Sequence, residues 1–137
     1  MQETWLPVVG YEGLYEVSDL GRVRSLPKVT SRGGRMAAPV VRMPGKVLKP
    51  VPTKKGGYLT IRLYPLNGGK GTSRSYRIHR LVLAAFVGPC PPGLEGCHYD
   101  GDPKNNALTN LRWDTYEANR ADMRRHGRHL GRPRRAA

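Results

Sequence analysis

Apolar positions along this chain alternate in short runs and recur at helical spacing only late, which predicts many strands and few helices. In residues 4–26, TWLPVVGYEGLYEVSDLGRVRSL, strand segments are marked by Tyr15, Val17, Val23 and Leu26. Ser18-Asp19-Leu20-Gly21 makes a turn between them, and Gly10, Gly13 and Gly21 punctuate the run. Residues 27–46 have no clear period and are rich in basic residues, Gly and Pro. They are expected to form a mobile basic loop, either a solvated linker or a segment that orders on DNA. Strand patterning returns over 47–78. Gly57–Tyr64 is the clearest strand, with Leu59, Ile61 and Leu63 on one face and Thr60, Arg62 and Tyr64 on the other. Asn67-Gly68-Gly69-Lys70-Gly71 reads as a hairpin loop, and Ser73 to Ile78 as the returning strand.

The most apolar run, HRLVLAAFV at 79–87, places Leu81, Val82, Ala85 and Phe86 at helical spacing, which predicts a short buried helix. His79 at its start reads as a satisfied structural histidine. Gly88-Pro89-Cys90-Pro91-Pro92-Gly93 ends the helix. A strand at Gly96-Cys97-His98-Tyr99 follows, then a turn at Asp100-Gly101-Asp102-Pro103 and a second strand at Leu111-Arg112-Trp113-Asp114. Thr115 can cap a helix over about 116–126, with Glu117 in its first turn and Asn119 one turn in. The expected class is α+β: an N-terminal antiparallel β-sheet region, a short helix, then a small strand–loop–strand–helix unit. The divisions are a β motif at 1–26, the loop at 27–46, a β hairpin at 47–78, the compact unit at 79–126, and a basic flexible tail at 127–137.

Composition sharpens the picture at one point. The 137 residues suffice for one modest domain, and the net charge is +14. A polyanion is the expected partner, nucleic acid before a membrane surface. No apolar run approaches the roughly 18 residues of a spanning helix, and the N-terminus lacks the pattern of a signal peptide. The expectation is a cytoplasmic protein without membrane contact. Cys90 and Cys97 are expected as free thiols. Arg62, Lys70, Arg74, Arg77 and Arg80 are candidates for a basic sheet face that tracks phosphates. Arg112, Arg120, Arg124 and Arg125 are further DNA-contact candidates. His126 and His129 lie in an Arg-rich setting that repels a cation.

Against this basic background, three of the ten acidic residues, Glu95, Asp100 and Asp102, fall within eight positions around His98. Oxygen ligands gathered beside an imidazole suit a divalent cation held against a phosphate. Phosphodiester hydrolysis needs such an arrangement. Imidazole takes a proton from water near neutrality, and a hard cation stabilises charge on the phosphate and the leaving oxygen.

The residues His98, Asp100-Gly101, Asn105-Asn106, Asn110-Leu111-Arg112-Trp113 and Asn119, with Ile78-His79-Arg80-Leu81-Val82 upstream, resemble the HNH nucleases, in particular the phage and intron-encoded homing-endonuclease branch. Trp5, Gly10-Tyr11-Glu12, Tyr15-Glu16-Val17-Ser18 and Gly21-Arg22-Val23 are similar to the modular motif that often precedes such domains. The resemblance implies a ββα-metal unit that cuts double-stranded DNA in a host-cell cytoplasm. It implies His98 as general base, Asn110 as the residue steadying the loop, and Asn119 as metal ligand. Mg²⁺ is the expected ion, since a neutral oxygen donor suits it. Many members carry an Asp just before the first His, where this chain has Cys97. Three readings stay open: Cys97 binds a softer ion such as Zn²⁺ or Mn²⁺, Asp100 or Asp102 supplies the carboxylate, or the protein binds DNA with a degenerate site. An RNA-binding role would explain the charge without His98. Asp100 before Gly101 is more readily a turn residue than a ligand, and Trp113 and Tyr116 are more readily core residues than stacking groups. Monomer and homodimer are both compatible with the sequence.

Overall fold

A computed structural model of the chain describes residues 2–31, 40–66, 68 and 71–125. Strands β1 (Trp5–Pro7), β2 (Tyr15–Ser18) and β3 (Val23–Ser25) form an antiparallel meander. β4 (Lys28–Ser31) and β5 (Val40–Met43) pair with each other. β6 (Lys46–Val47) returns to the free edge of β3, giving the order β1-β2-β3-β6. A second sheet consists of β7 (Val51–Pro52), β8 (Leu59–Leu63) and β9 (Arg74–Arg77). Helix α1 (Ile78–Phe86) follows without a break. The chain then makes the hairpin of β10 (Glu95–His98) and β11 (Leu111–Asp114), and ends, among the described residues, in α2 (Tyr116–Arg125). No helix among the described residues is long and apolar enough to cross a membrane.

Two expectations change here. Residues 27–46 are not simply a loop: β4 pairs with β5 from Lys28↔Met43 to Ser31↔Val40. The β-branched runs Val29-Thr30 and Val40-Val41 favour a strand pair despite the Gly and Pro around them. The expected basic sheet face also divides. Across the β8–β9 ladder, Arg62 opposes Ser75 and Thr60 opposes Arg77, whereas Arg74 opposes Leu63, which points into the core. Arg74 and Arg77 are three apart, so strand alternation sends them to opposite faces. Lys70 and the tail from 126 lie outside the described residues.

The core joins units that the sequence divides. Val8, Val17 and Val23 of the N-terminal sheet meet Ile61 and Leu63 of β8, Ile78, Leu81, Val82 and Leu83 of α1, and Leu111 of β11. Helix α1 is the common neighbour, packing against β1, β2, β8, β9, β10 and β11. Its apolar stripe is wide because it is covered on several sides. Polar contacts tie the same pieces: the Tyr11 and Tyr76 hydroxyls lie 2.8 Å apart, and the Tyr64 N–H donates to the Tyr15 hydroxyl. Trp113 packs against this core and its Nε1–H donates to the Gly88 carbonyl at 3.0 Å.

Candidate functional site

Local chemistry builds the hairpin and helix. Asp114 and Thr115 stop β11 and start α2: the Asp114 carboxylate accepts from the Thr115 N–H, and Thr115 Oγ1 accepts from the Ala118 N–H. Glu117 in the first turn and Arg124 and Arg125 in the last suit the helix dipole. Alternation along β10 places Gly96 and His98 on one face and Glu95 and Cys97 on the other.

His98 is 4% exposed. Its Nε2 lies 2.8 Å from Asn106 Oδ1 and donates to it when the ring proton sits there. His79 lies 4.8 Å from it between ring centroids, and Tyr58 stacks on His79. His79 covers Gly96 so closely that a Cβ there would lie 2.5 Å from His79 Cδ2, so position 96 admits only glycine. Burial, then the neighbouring His98 and the Arg80 and Arg77 cations, push the His79 pKa from 6.5 down to about 3, against a hydrogen bond with the Gly96 backbone. His79 is therefore neutral in the folded protein at any pH near neutrality, while the unfolded chain takes up a proton there below 6.5. Stability from this site is fully present above pH 6.5 and is lost as pH falls towards 3. Between pH 6.5 and 5, before carboxylates titrate, His79 is expected to remove about 1.1 kcal/mol per pH unit on average, starting near half of the limiting slope of about 1.4 and approaching it at pH 5. Urea unfolding across that window should show this slope in the parent and a shallower one in His79→Gln; equal slopes would rule out the assignment.

The loop between the strands is organised by Asp100 and Asn110. Asn110 Nδ2 donates to Asp100 Oδ1 and to the Asn105 carbonyl, and its Oδ1 accepts from the Asp100 N–H. Asp100 also accepts from the Asp102 N–H and from Asn105 Nδ2. Burial works against ionising Asp100, but these hydrogen bonds outweigh it and hold its pKa below the usual value. Its oxygens are thus engaged in shaping the loop, the turn role that Asp-Gly suggests, and offer little to a cation.

On the opposite face α2 packs over β10. Cys97 is 0% exposed, with its sulfur near the Glu95 and Thr115 carbonyls at 3.6 and 4.0 Å. Burial pushes its thiol up to about 11. Asn119, 9% exposed, donates from Nδ2 to Glu95 Oε1 at 2.6 Å. These two residues line a cleft of about 240 Å³ with Gly96, His79, Tyr58 and Tyr116, and Lys55, Arg77 and Arg80 stand around it. Tyr116 is 48% exposed and is no core residue: it opens α2 at the cleft, with the Arg120 guanidinium over its ring.

The basic candidates separate by partner. Arg77 and Arg80 are exposed at the cleft, Arg77 lying 4.5 Å over the Tyr58 ring. Arg62 and Arg74 are exposed away from it, and Arg62 donates to Ser73 Oγ. Arg120, Arg124 and Arg125 are exposed on α2, with Arg125 donating to Asp122. Arg112 is drawn inward: it donates to Asp114 and to buried Asp122 and lies over Tyr99. Two carboxylates already hold it, so it is a structural cation rather than a phosphate contact. Lys55 and Tyr58 are site residues for which the sequence carries no signal, while Glu95 stands out there only as one of the acidic residues near His98 and Asn106 only within the Asn105-Asn106 pair.

Residues 3–64 match the NUMOD4 motif and residues 76–121 match the HNH endonuclease family. The chain is 38% identical over 116 residues to DNA endonuclease I-HmuI of Bacillus phage SP01, covering 84% of this chain and 54% of that protein. It also resembles a solved structure of DNA binding and cleavage by the HNH homing endonuclease I-HmuI, with TM-score 0.64 and 32% identity over 90% of this chain and 59% of that one. The chain therefore spans a little over half the length of the relatives it matches. A hairpin bearing His98, a helix bearing Asn119 and two adjoining matches lead to one assignment: the chain carries an HNH endonuclease domain with a NUMOD4 motif ahead of it.

Proposed function

We propose that this protein is a divalent-metal-dependent endonuclease that hydrolyses phosphodiester bonds of duplex DNA, in a phage-associated homing setting. The observation that carries the reading is the cleft itself: an oxygen-donor pair, Glu95 and Asn119, on a hairpin and helix, with lysine and arginine around it. The donor set fits a hard cation. A carboxylate and a carboxamide oxygen with waters suit Mg²⁺, which keeps much of its hydration. Mn²⁺ accepts the same ligands, whereas Zn²⁺ would want nitrogen or sulfur that Cys97 does not present there.

In this reading His98, whose ring is held through Nε2 by Asn106, takes the proton of the attacking water. Asn110 holds the loop that carries Asn106, through Asp100 and the Asn105 carbonyl. Arg77, Arg80 and Lys55 hold the phosphates on either side of the scissile bond. Arg62, Arg74, Arg120, Arg124 and Arg125 extend the basic surface. A bound Mg²⁺ supplies charge stabilisation at the phosphate and the leaving oxygen.

Supercoiled plasmid should be nicked or linearised in Mg²⁺ or Mn²⁺ and stay intact in EDTA. Tight DNA binding with no cutting in either ion would leave a DNA-binding protein with a degenerate site.

A further inference from the structure

Family resemblance places a carboxylate just before the first histidine, and this chain has Cys97 there. Resting on the metal-nuclease reading, we infer that Glu95 supplies the missing carboxylate, so that the cation is held between Glu95 and Asn119 at the open end of β10.

Strand geometry makes the substitution workable. Glu95 and Cys97 share a face of β10, about 6.6 Å apart along the strand. Cys97 is the inner of the two, sealed under the start of α2 with its sulfur against backbone carbonyls. Glu95 is the outer one and opens into the cleft. Its side chain is one methylene longer than that of Asp, and its Oε1 reaches Asn119 across 24 positions of sequence. The ligand pair therefore spans strand and helix, as an ion-binding pair on this unit must.

The present contact is the metal-free form of the same pair. Asn119 offers Nδ2 to the carboxylate at 2.6 Å. Half a turn about the last side-chain bond exchanges Nδ2 for Oδ1, and the carboxamide becomes an acceptor facing the same point. A cation between the two oxygens removes the repulsion that this exchange would otherwise create. Nothing else competes for the carboxylate: among the described residues no lysine or arginine comes within ion-pair distance of Glu95. Among the described residues it is also the one acidic residue lining the cleft. Asp100 is the alternative carboxylate, and both of its oxygens already accept hydrogen bonds in the loop.

The test uses Mn²⁺ as the probe and measures its binding to the full chain without DNA, by the loss of the free-ion paramagnetic resonance signal. Glu95→Gln keeps the length and the acceptor for Asn119, so its thermal melt should match the parent's. Its Mn²⁺ dissociation constant should rise by at least about tenfold, the lower end of what loss of even a supporting group costs a metal site. Cys97→Ala should bind Mn²⁺ as the parent does. If the folded Glu95→Gln protein binds Mn²⁺ as tightly as a parent that cuts DNA, Glu95 is no ligand, while the nuclease reading stands. Weakened binding in Cys97→Ala with none in Glu95→Gln would return the site to position 97. A parent that binds no Mn²⁺ overturns this inference and the metal-dependent reading together.

Discussion

His98→Ala should cut DNA about 10² to 10⁴ times more slowly than the parent, the range over which a positioned general base contributes, while binding DNA with little change. The two halves of that result have different origins. His98 is buried, held by Asn106 on its Nε2 side and faced by His79 and Tyr58, so it makes no part of the cationic surface that meets phosphates. Removing it deletes a proton acceptor and leaves the charge around the cleft as it was. The substitution also leaves Asn106 without its ring partner in a buried place, which costs about 1–3 kcal/mol. Cleavage should therefore be compared well below the variant's melting temperature, in single-turnover nicking assays with protein in excess, alongside gel-shift titrations in EDTA. A folded His98→Ala protein that nicks at the parent's rate would remove His98 from the chemistry.

Gly21→Ala should impair a site that lies more than seventy positions further along the chain. Gly21 sits at the turn between β2 and β3, at φ +86°, where an alanine costs about 1–2 kcal/mol. Its more specific role is contact. A Cβ at Gly21 would lie 2.7 Å from Asn106 Cβ and 2.8 Å from the Asn106 carbonyl oxygen. Nearby, the Leu108 N–H donates to the Asp19 carbonyl at 2.7 Å. The NUMOD4 turn thus seats the loop whose Asn106 holds His98. A methyl group at position 21 must push that loop away, with an overpacking cost of about 1–3 kcal/mol more, and the push is transmitted to the imidazole. Displacement of a reacting group by about 1 Å can cost 10²-fold in rate. Gly13→Ala is the matched control, because Gly13 has φ +81° with nothing within 4 Å of its would-be Cβ. Gly21→Ala should lose more stability than Gly13→Ala and, at temperatures where both are folded, far more cleavage. If the two variants cut alike, the turn does not position the site.

Gly21 also shows why some of this molecule was legible in its sequence and some was not. The turn at Ser18–Gly21 follows from residue types within four consecutive positions, but its docking partner follows from nothing nearby. Likewise the alternation of Leu59, Ile61 and Leu63 announces β8 and its buried face, and Thr115 announces the start of α2. Arg74 and Arg77 could have been assigned to opposite faces by the same period of two, which proximity in sequence obscured. The β4–β5 pair was hidden because basic residues, Gly and Pro together make up eleven of residues 27–46, against four β-branched residues.

By itself the sequence determined the hairpin, the helix after it, and the presence of His98, Asn110 and Asn119 on them, because strand period, turn chemistry and capping act over a few residues. Tertiary structure alone decided that Glu95 faces Asn119, that Asn106 anchors His98 beneath an N-terminal turn, and that Arg112 turns inward to Asp114 and Asp122. The physical reason is that a charged or amide side chain has no fixed destination. It bonds whichever opposite group folding brings within reach, and here that neighbourhood is set by a core around α1 that draws on residues from Val8 to Leu111.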